Sequence, residues 1–163
     1  MQQHLSEVSN ILWRERQLLE LLVFKLEEEQ LVLASGRTRW LTHATREVET
    51  VLGEIKRVEL DRAVHVEALT AVLELTDAPS LRQLADLAPA PWSQIFEEHR
   101  NALLEAAHDI DAAARSNRDL LSRGQFATRE ALATLGEIEL DAYTPSGAAT
   151  ERSLGMRLVD EAI

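Results

Sequence analysis

Cysteine is absent from the chain. That excludes disulfides, thiolate zinc sites and thiol nucleophiles together, and it accords with a reducing compartment. Glycine and proline are scarce, six and four among 163 residues. A sandwich or barrel needs a turn roughly every 8–12 residues, and so few turn formers cannot supply them. Aromatic side chains make up only 4% of a chain that is 45% hydrophobic. Basic charge is short as well: 17 Lys and Arg stand against 28 Asp and Glu, a net charge of −11. No basic stretch outweighs its acidic neighbours, which argues against nucleic acid and against anionic membrane surfaces. The longest obvious apolar run, Leu21-Leu22-Val23-Phe24, falls far short of the ~18 residues that cross a bilayer. Met1-Gln2-Gln3-His4 opens no basic-then-apolar leader. The expectation is a one-domain cytoplasmic protein with no membrane insertion.

What the chain has in quantity is helical periodicity. Leu5, Leu12, Leu19, Leu26 and Leu33 recur every seven residues. Val8 and Leu22 follow two of them by three positions, and Ile11, Leu18 and Val32 precede others by one. The stripe is wider than a two-position coiled-coil seam, with Lys25, Glu15 and Glu29 breaking its flanks. This spacing predicts a helix from Leu5 to about Ala34, ended at Ser35-Gly36. A second is expected from about Thr38 to Leu75 on Leu41, Val48 and Ile55 and on Ala44, Val51 and Val58. Arg62 and His65 interrupt that stripe, so burial should thin there. A short connection between two long amphipathic helices implies an antiparallel hairpin.

Ser80 and Gln83 then form a capping box for a short helix carrying Leu81, Leu84 and Leu87. Pro89 and Pro91 separate it from a third long helix, expected from Trp92 towards Arg123. Its seam holds Phe96, Leu103 and Ile110 beside Trp92, Ala106, Ala113 and Leu120. A local break is expected at Gly124 and irregular chain after Gly136. Leu154, Leu158 and Val159 mark one side of a short terminal helix, which would be ordered mainly by docking. The expected architecture is all-α. It comprises a long antiparallel helical hairpin and a third long helix in a coiled-coil-like three-helix bundle (residues 1–137), a short linker helix, and a flexible substrate-binding C-terminal tail (residues 138–163).

Catalytic motifs are sparse. Glu105-Ala106-Ala107-His108 is the one Glu-x-x-His pair, whereas ferritin-like metal sites need two with further carboxylates. A phosphate-binding glycine loop, His-Glu-x-x-His and Gly-x-Ser-x-Gly are all missing. No cofactor or enzymatic activity is expected. Glu27-Glu28-Glu29 reads as a solvated helix face. His43, His65 and His99 read as ordinary surface or satisfied residues, and Trp13 and Trp40 as packing residues, with Trp13 off the leucine stripe. Asn117 falls on the core series of the third helix. A polar residue there usually specifies register, and direct partner binding is the alternative. Stripes this wide suit a protein that takes another helix into a groove; a closed bundle, structural adaptor or homodimer is the rival reading.

The order of these features resembles the FlgN-like family of flagellar type III export chaperones, over roughly residues 5–147. The resemblance rests on Glu20-Leu21-Leu22 through Gly36, on the long second helix, and on Ser80-Leu81-Arg82-Gln83-Leu84. Its most specific segment is Asn117-Arg118-Asp119-Leu120-Leu121-Ser122-Arg123-Gly124, followed by Tyr143 and Gly147. The family has Gly directly after that Tyr, where Thr144 and Pro145 stand here. The resemblance implies a cytoplasmic chaperone for hook-associated (hook-filament junction) proteins. It would bind their terminal helices, prevent premature assembly and deliver them to the flagellar export gate. Asn117, Leu120, Leu121, Gly124, Tyr143, Gly147, Leu154, Leu158 and Val159 are then the expected partner-binding residues, with Tyr143 matching a residue that docks at the gate.

Overall fold

The computed structural model describes residues 1–141, with side chains through Thr134. The chain divides into two units, Met1–Leu120 and Leu121–Ile163. Helices α1 (Gln2–Ala34), α2 (Leu41–Val72), α3 (Leu81–Leu87) and α4 (Trp92–Asp141) make up the described fold, with a 3-10 turn at Thr38–Trp40. No strand occurs among the described residues, and the all-α expectation holds.

Each end has a local cause. Gly36 adopts φ +67° and donates its N–H to the Leu33 carbonyl at 3.2 Å, a left-handed cap that suits a residue without Cβ. At the end of α2, Glu74 takes the same conformation with φ 54°. Its N–H reaches Ala71 at 3.3 Å and that of Leu75 reaches Thr70 at 3.1 Å, the paired bonds of a Schellman motif. The capping box forms as read from the sequence: the Ser80 N–H donates to Gln83 Oε1 at 2.8 Å and the Gln83 N–H to Ser80 Oγ at 3.3 Å.

Within Met1–Leu120 the core has two parts. Leu5, Val8 and Leu12 of α1 meet Leu69 of α2, Leu84 of α3 and Phe96 of α4. Further along, Leu22 and Leu26 meet Val48, Val51 and Ile55, with Ile110 and Ala113 packed against them. The first half of α1 therefore faces the last part of α2, and its second half faces the first part of α2: the hairpin is antiparallel. α4 begins beside the Leu5 cluster at Trp92 and meets Leu26 at Asn117, running parallel to α1. Two hydrogen bonds fix that register, joining residues 90 and 91 positions apart, Ser9 with His99 and Leu26 with Asn117. Burying such side chains contributes about 1.5–3 kcal/mol each. α3 closes the end where α2 finishes and α4 starts.

In the second unit, α4 runs unbroken through Gly124 and Gly136 to Asp141. This corrects the break expected at Gly124 and carries helix five residues past Gly136; Tyr143-Thr144-Pro145-Ser146-Gly147, expected to be irregular, lies outside the described residues. Nothing lies within 4 Å of where a Cβ on Gly124 would be, and Thr128 Oγ1 donates to the Gly124 carbonyl at 2.9 Å. A lone glycine weakens a helix by about 1 kcal/mol relative to Ala without ending it. Every residue from 121 to 134 is exposed.

Candidate functional site

α4 carries four of the nine residues singled out for binding, Asn117, Leu120, Leu121 and Gly124, and the structure divides them. Asn117 is buried at 4% exposure. Its Nδ2 donates to the Leu26 carbonyl at 2.9 Å and to Glu29 Oε2 at 3.0 Å, while its Oδ1 is buried without a partner. Glu29 also accepts from Thr45 Oγ1 at 2.8 Å. One polar knot thus joins α1, α2 and α4, as expected of a seam residue that sets register. Gln30, next to Glu29, adds a 2.6 Å bond to Ser116, next to Asn117. Leu120 is half-buried, whereas Leu121 and Gly124 are exposed. Phe126, 70% exposed, and Leu132 lie on the same exposed stretch. Leu121 and Leu132 stand eleven residues apart, three helical turns, and share one face. Tyr143, Gly147, Leu154, Leu158 and Val159 lie outside the described residues.

Of two buried polar groups, the sequence reading missed Glu15 and left His99 open between a surface and a satisfied residue. Glu15 does not break the flank of the stripe. It sits in the seam at 5% exposure, where Arg62 Nη1 of α2 approaches its Oε2 at 3.3 Å. Burial raises the Glu15 carboxyl above its ordinary pKa, the Arg62 guanidinium pulls it down, and Glu59 raises it further. The signal was present: positions 8, 15, 22 and 29 form the second seam series of α1, and two of them are glutamates. His99 is fully buried, with Ser9 Oγ 3.1 Å from its Nε2 and Arg16 Nη1 3.5 Å from its Nδ1. Trp13 stacks edge-on at 5.1 Å. Since Arg16 can only donate, Nδ1 is the acceptor and the proton resides on Nε2, facing Ser9. Burial first, and the Arg16 charge second, push the imidazole down to about 4. His99 lies three residues after Phe96 and four before Leu103, so the seam spacing marked it too.

Trp13 and Trp40 are about half exposed; this corrects the packing reading of Trp40, while some exposure is what the position of Trp13 off the leucine stripe allows. Arg16 lies over the Trp13 ring at 4.2 Å and Arg39 over Trp40 at 5.1 Å. Glu105 and His108 are both exposed. Among the described residues no group of three His, Cys, Asp or Glu is placed to hold a metal, and no helix is long and apolar enough to cross a membrane. What the described residues offer is exposed apolar helix surface, at Trp13, Phe24 and Leu31 of α1 and Leu121, Phe126 and Leu132 of α4.

The family model described as FlgN protein matches residues 1–151. The chain belongs to the FlgN family. This is the flagellar export chaperone family for hook-associated proteins, and a role as a flagellar export chaperone follows from membership. The matched span takes in the α1–α2 hairpin, α3, all of α4, Tyr143 and Gly147, and stops short of Leu154, Leu158 and Val159. No curated protein and no solved structure matches the chain significantly.

Proposed function

We propose that this FlgN-family protein acts in the cytoplasm, binds the terminal helices of hook-associated proteins, keeps them from assembling early and hands them to the flagellar export gate. The supporting observation is the run 121–134 of α4, wholly exposed although it carries Leu121, Phe126 and Leu132. A terminal segment of a filament subunit is an amphipathic helix without its partner before assembly. Laid along such a helix, it shields its own apolar face. The reading assigns cargo binding to this stretch together with Leu154, Leu158 and Val159 of the C-terminal segment, and gate docking to Tyr143 with Gly147. Ordering a segment on binding moderates affinity, which suits a carrier that must release.

Truncation after Leu140 tests the assignment. Helicity should be nearly unchanged by circular dichroism, while affinity for a purified hook-associated protein is lost. Retained affinity would refute the tail assignment. Tyr143→Ala should weaken gate docking more than cargo binding; equal losses in both would count against a separate docking role.

A further inference from the structure

A groove of about 480 Å³ lies between α1 and α4 in the first unit. Its apolar lining is Trp13 and Val23 from α1 and Ala102 and Ala106 from α4, with Gln17 of α1 among the polar residues that share it. The two alanines place no bulk between the helices, so a third backbone can approach closely. Its border is acidic, with Glu20 on one side and Glu105 and Asp109 on the other. The single basic lining residue, Arg16, is committed to the Trp13 ring and to His99. Along α1 the apolar surface continues: Phe24 and Leu31 follow Trp13 by eleven and eighteen residues, three and five turns, on the same face. Both are exposed, Leu31 to 71%.

We propose that this groove docks an amphipathic helix of a partner protein, with aliphatic anchors at i, i+3/i+4 and i+7 and Lys or Arg along its flanks. Helix-in-groove recognition needs an apolar floor with anchor spacing, and the carboxylate borders select the sign of the flanking charge. A second copy of this chain is a poor occupant, because it would bring Glu20, Glu105 and Asp109 against their own equivalents, and like charges facing each other across an interface are costly. Nucleic acid is disfavoured by the same carboxylates. The site lies wholly within Met1–Leu120 and does not depend on the assignment of cargo binding to the C-terminal segment.

Two synthetic helical peptides test this on the full chain. They share leucines at the anchor positions and differ in carrying lysines or glutamates on the flanks. Tryptophan fluorescence, compared with that of a Trp40→Phe/Trp92→Phe variant to isolate Trp13, and calorimetry should report binding of the lysine peptide only, weakening as salt screens the borders. The E105K/D109K variant should bind about tenfold more weakly, about 1.4 kcal/mol. E49K/E54K, an equal charge change at exposed positions of α2, should bind as wild type. Ala102→Trp, which fills the groove, should also abolish binding with helicity retained. Equal binding of both peptides, or equal loss in the two charge-reversed variants, would reduce the effect to general attraction and overturn the proposal. So would a dimer, seen by light scattering, that dissociates on E105K/D109K. Persistence of peptide binding after truncation beyond Leu140 would support the groove even where the C-terminal assignment failed.

Discussion

Acid should destabilise this bundle through one imidazole. His99 is fully enclosed, and its environment fits only the neutral ring: Ser9 takes the Nε2 proton and Arg16 faces Nδ1 with a donor. Protonation would set Nδ1–H against that guanidinium in a site closed to bulk solvent. The folded-state pKa is accordingly depressed from 6.5 to about 4. Between these values the unfolded chain binds the proton and the folded chain does not, so stability falls as pH drops. The slope is about 1.4 kcal/mol per pH unit, accumulating to at most about 3 kcal/mol across the interval. Glu15 opposes this, since its raised pKa makes the fold take up a proton more readily than the unfolded chain. Its contribution is present at low pH and lost as pH rises through its folded value. The measurement that isolates His99 is therefore a difference. Urea unfolding of wild type and His99→Gln, followed by circular dichroism, should converge between about pH 7 and about pH 5. Gln can keep a polar atom near Ser9 but cannot titrate. The variant should start less stable near neutrality, and its disadvantage should shrink by about 2 kcal/mol on acidification. Profiles that stay parallel over this range would refute the enclosed-imidazole argument.

Asn117→Ala removes two hydrogen bonds across the α1–α4 seam and should cost about 1–2 kcal/mol. Asn117→Leu should recover that loss while broadening the amide spectrum by NMR, as register becomes less strictly specified; sharp, unshifted resonances would argue against a register role. Arg62→Leu leaves Glu15 buried without its counter-charge and should cost about 2–3 kcal/mol, more than the Glu15→Leu/Arg62→Leu pair, so a double-mutant cycle by urea unfolding should show strong coupling. Gly53→Ala should stabilise the protein by about 0.5–1 kcal/mol, because Gly53 is mid-helix and nothing lies within 4 Å of its Cβ position; a lower melting temperature would contradict that open geometry.

The helices were legible because burial in a bundle writes itself into sequence at intervals of three and four. The leucines at 5, 12 and 26 are all buried in α1, and the capping box at Ser80 forms as its spacing requires. Local signals erred where context overrode them. Gly124 reads as a stop, yet a glycine within a long helix weakens the helix without breaking it. Glu15 and Glu29 read as faults in the stripe because their partners, Arg62, Thr45 and Asn117, come from other helices. His99 could be read only as surface or satisfied, because its partner Ser9 lies 90 positions away. Periodicity shows which face of a helix is buried and does not show which residue stands opposite. The partner-binding expectations on α4 met a mixed surface, Asn117 inside and Leu121 and Gly124 outside, because one seam spacing continues through positions that are covered and positions that are not.

The polar seam residues bear on how the chaperone can stay open to a guest helix. A leucine-only seam would tolerate slippage by a heptad, and it would also accept the guest as a fourth strand in any register. Glu15 with Arg62, His99 with Ser9, and Asn117 with Glu29 occur at successive levels of α1. Shifting any pair of helices by seven residues would leave several buried polar groups without partners, each worth about 1–3 kcal/mol. The first unit is thereby held to one internal register while Trp13, Phe24 and Leu31 remain on the outside of α1. Specificity inside the bundle is what permits apolar surface outside it: the helices cannot rotate or slide to bury that face among themselves.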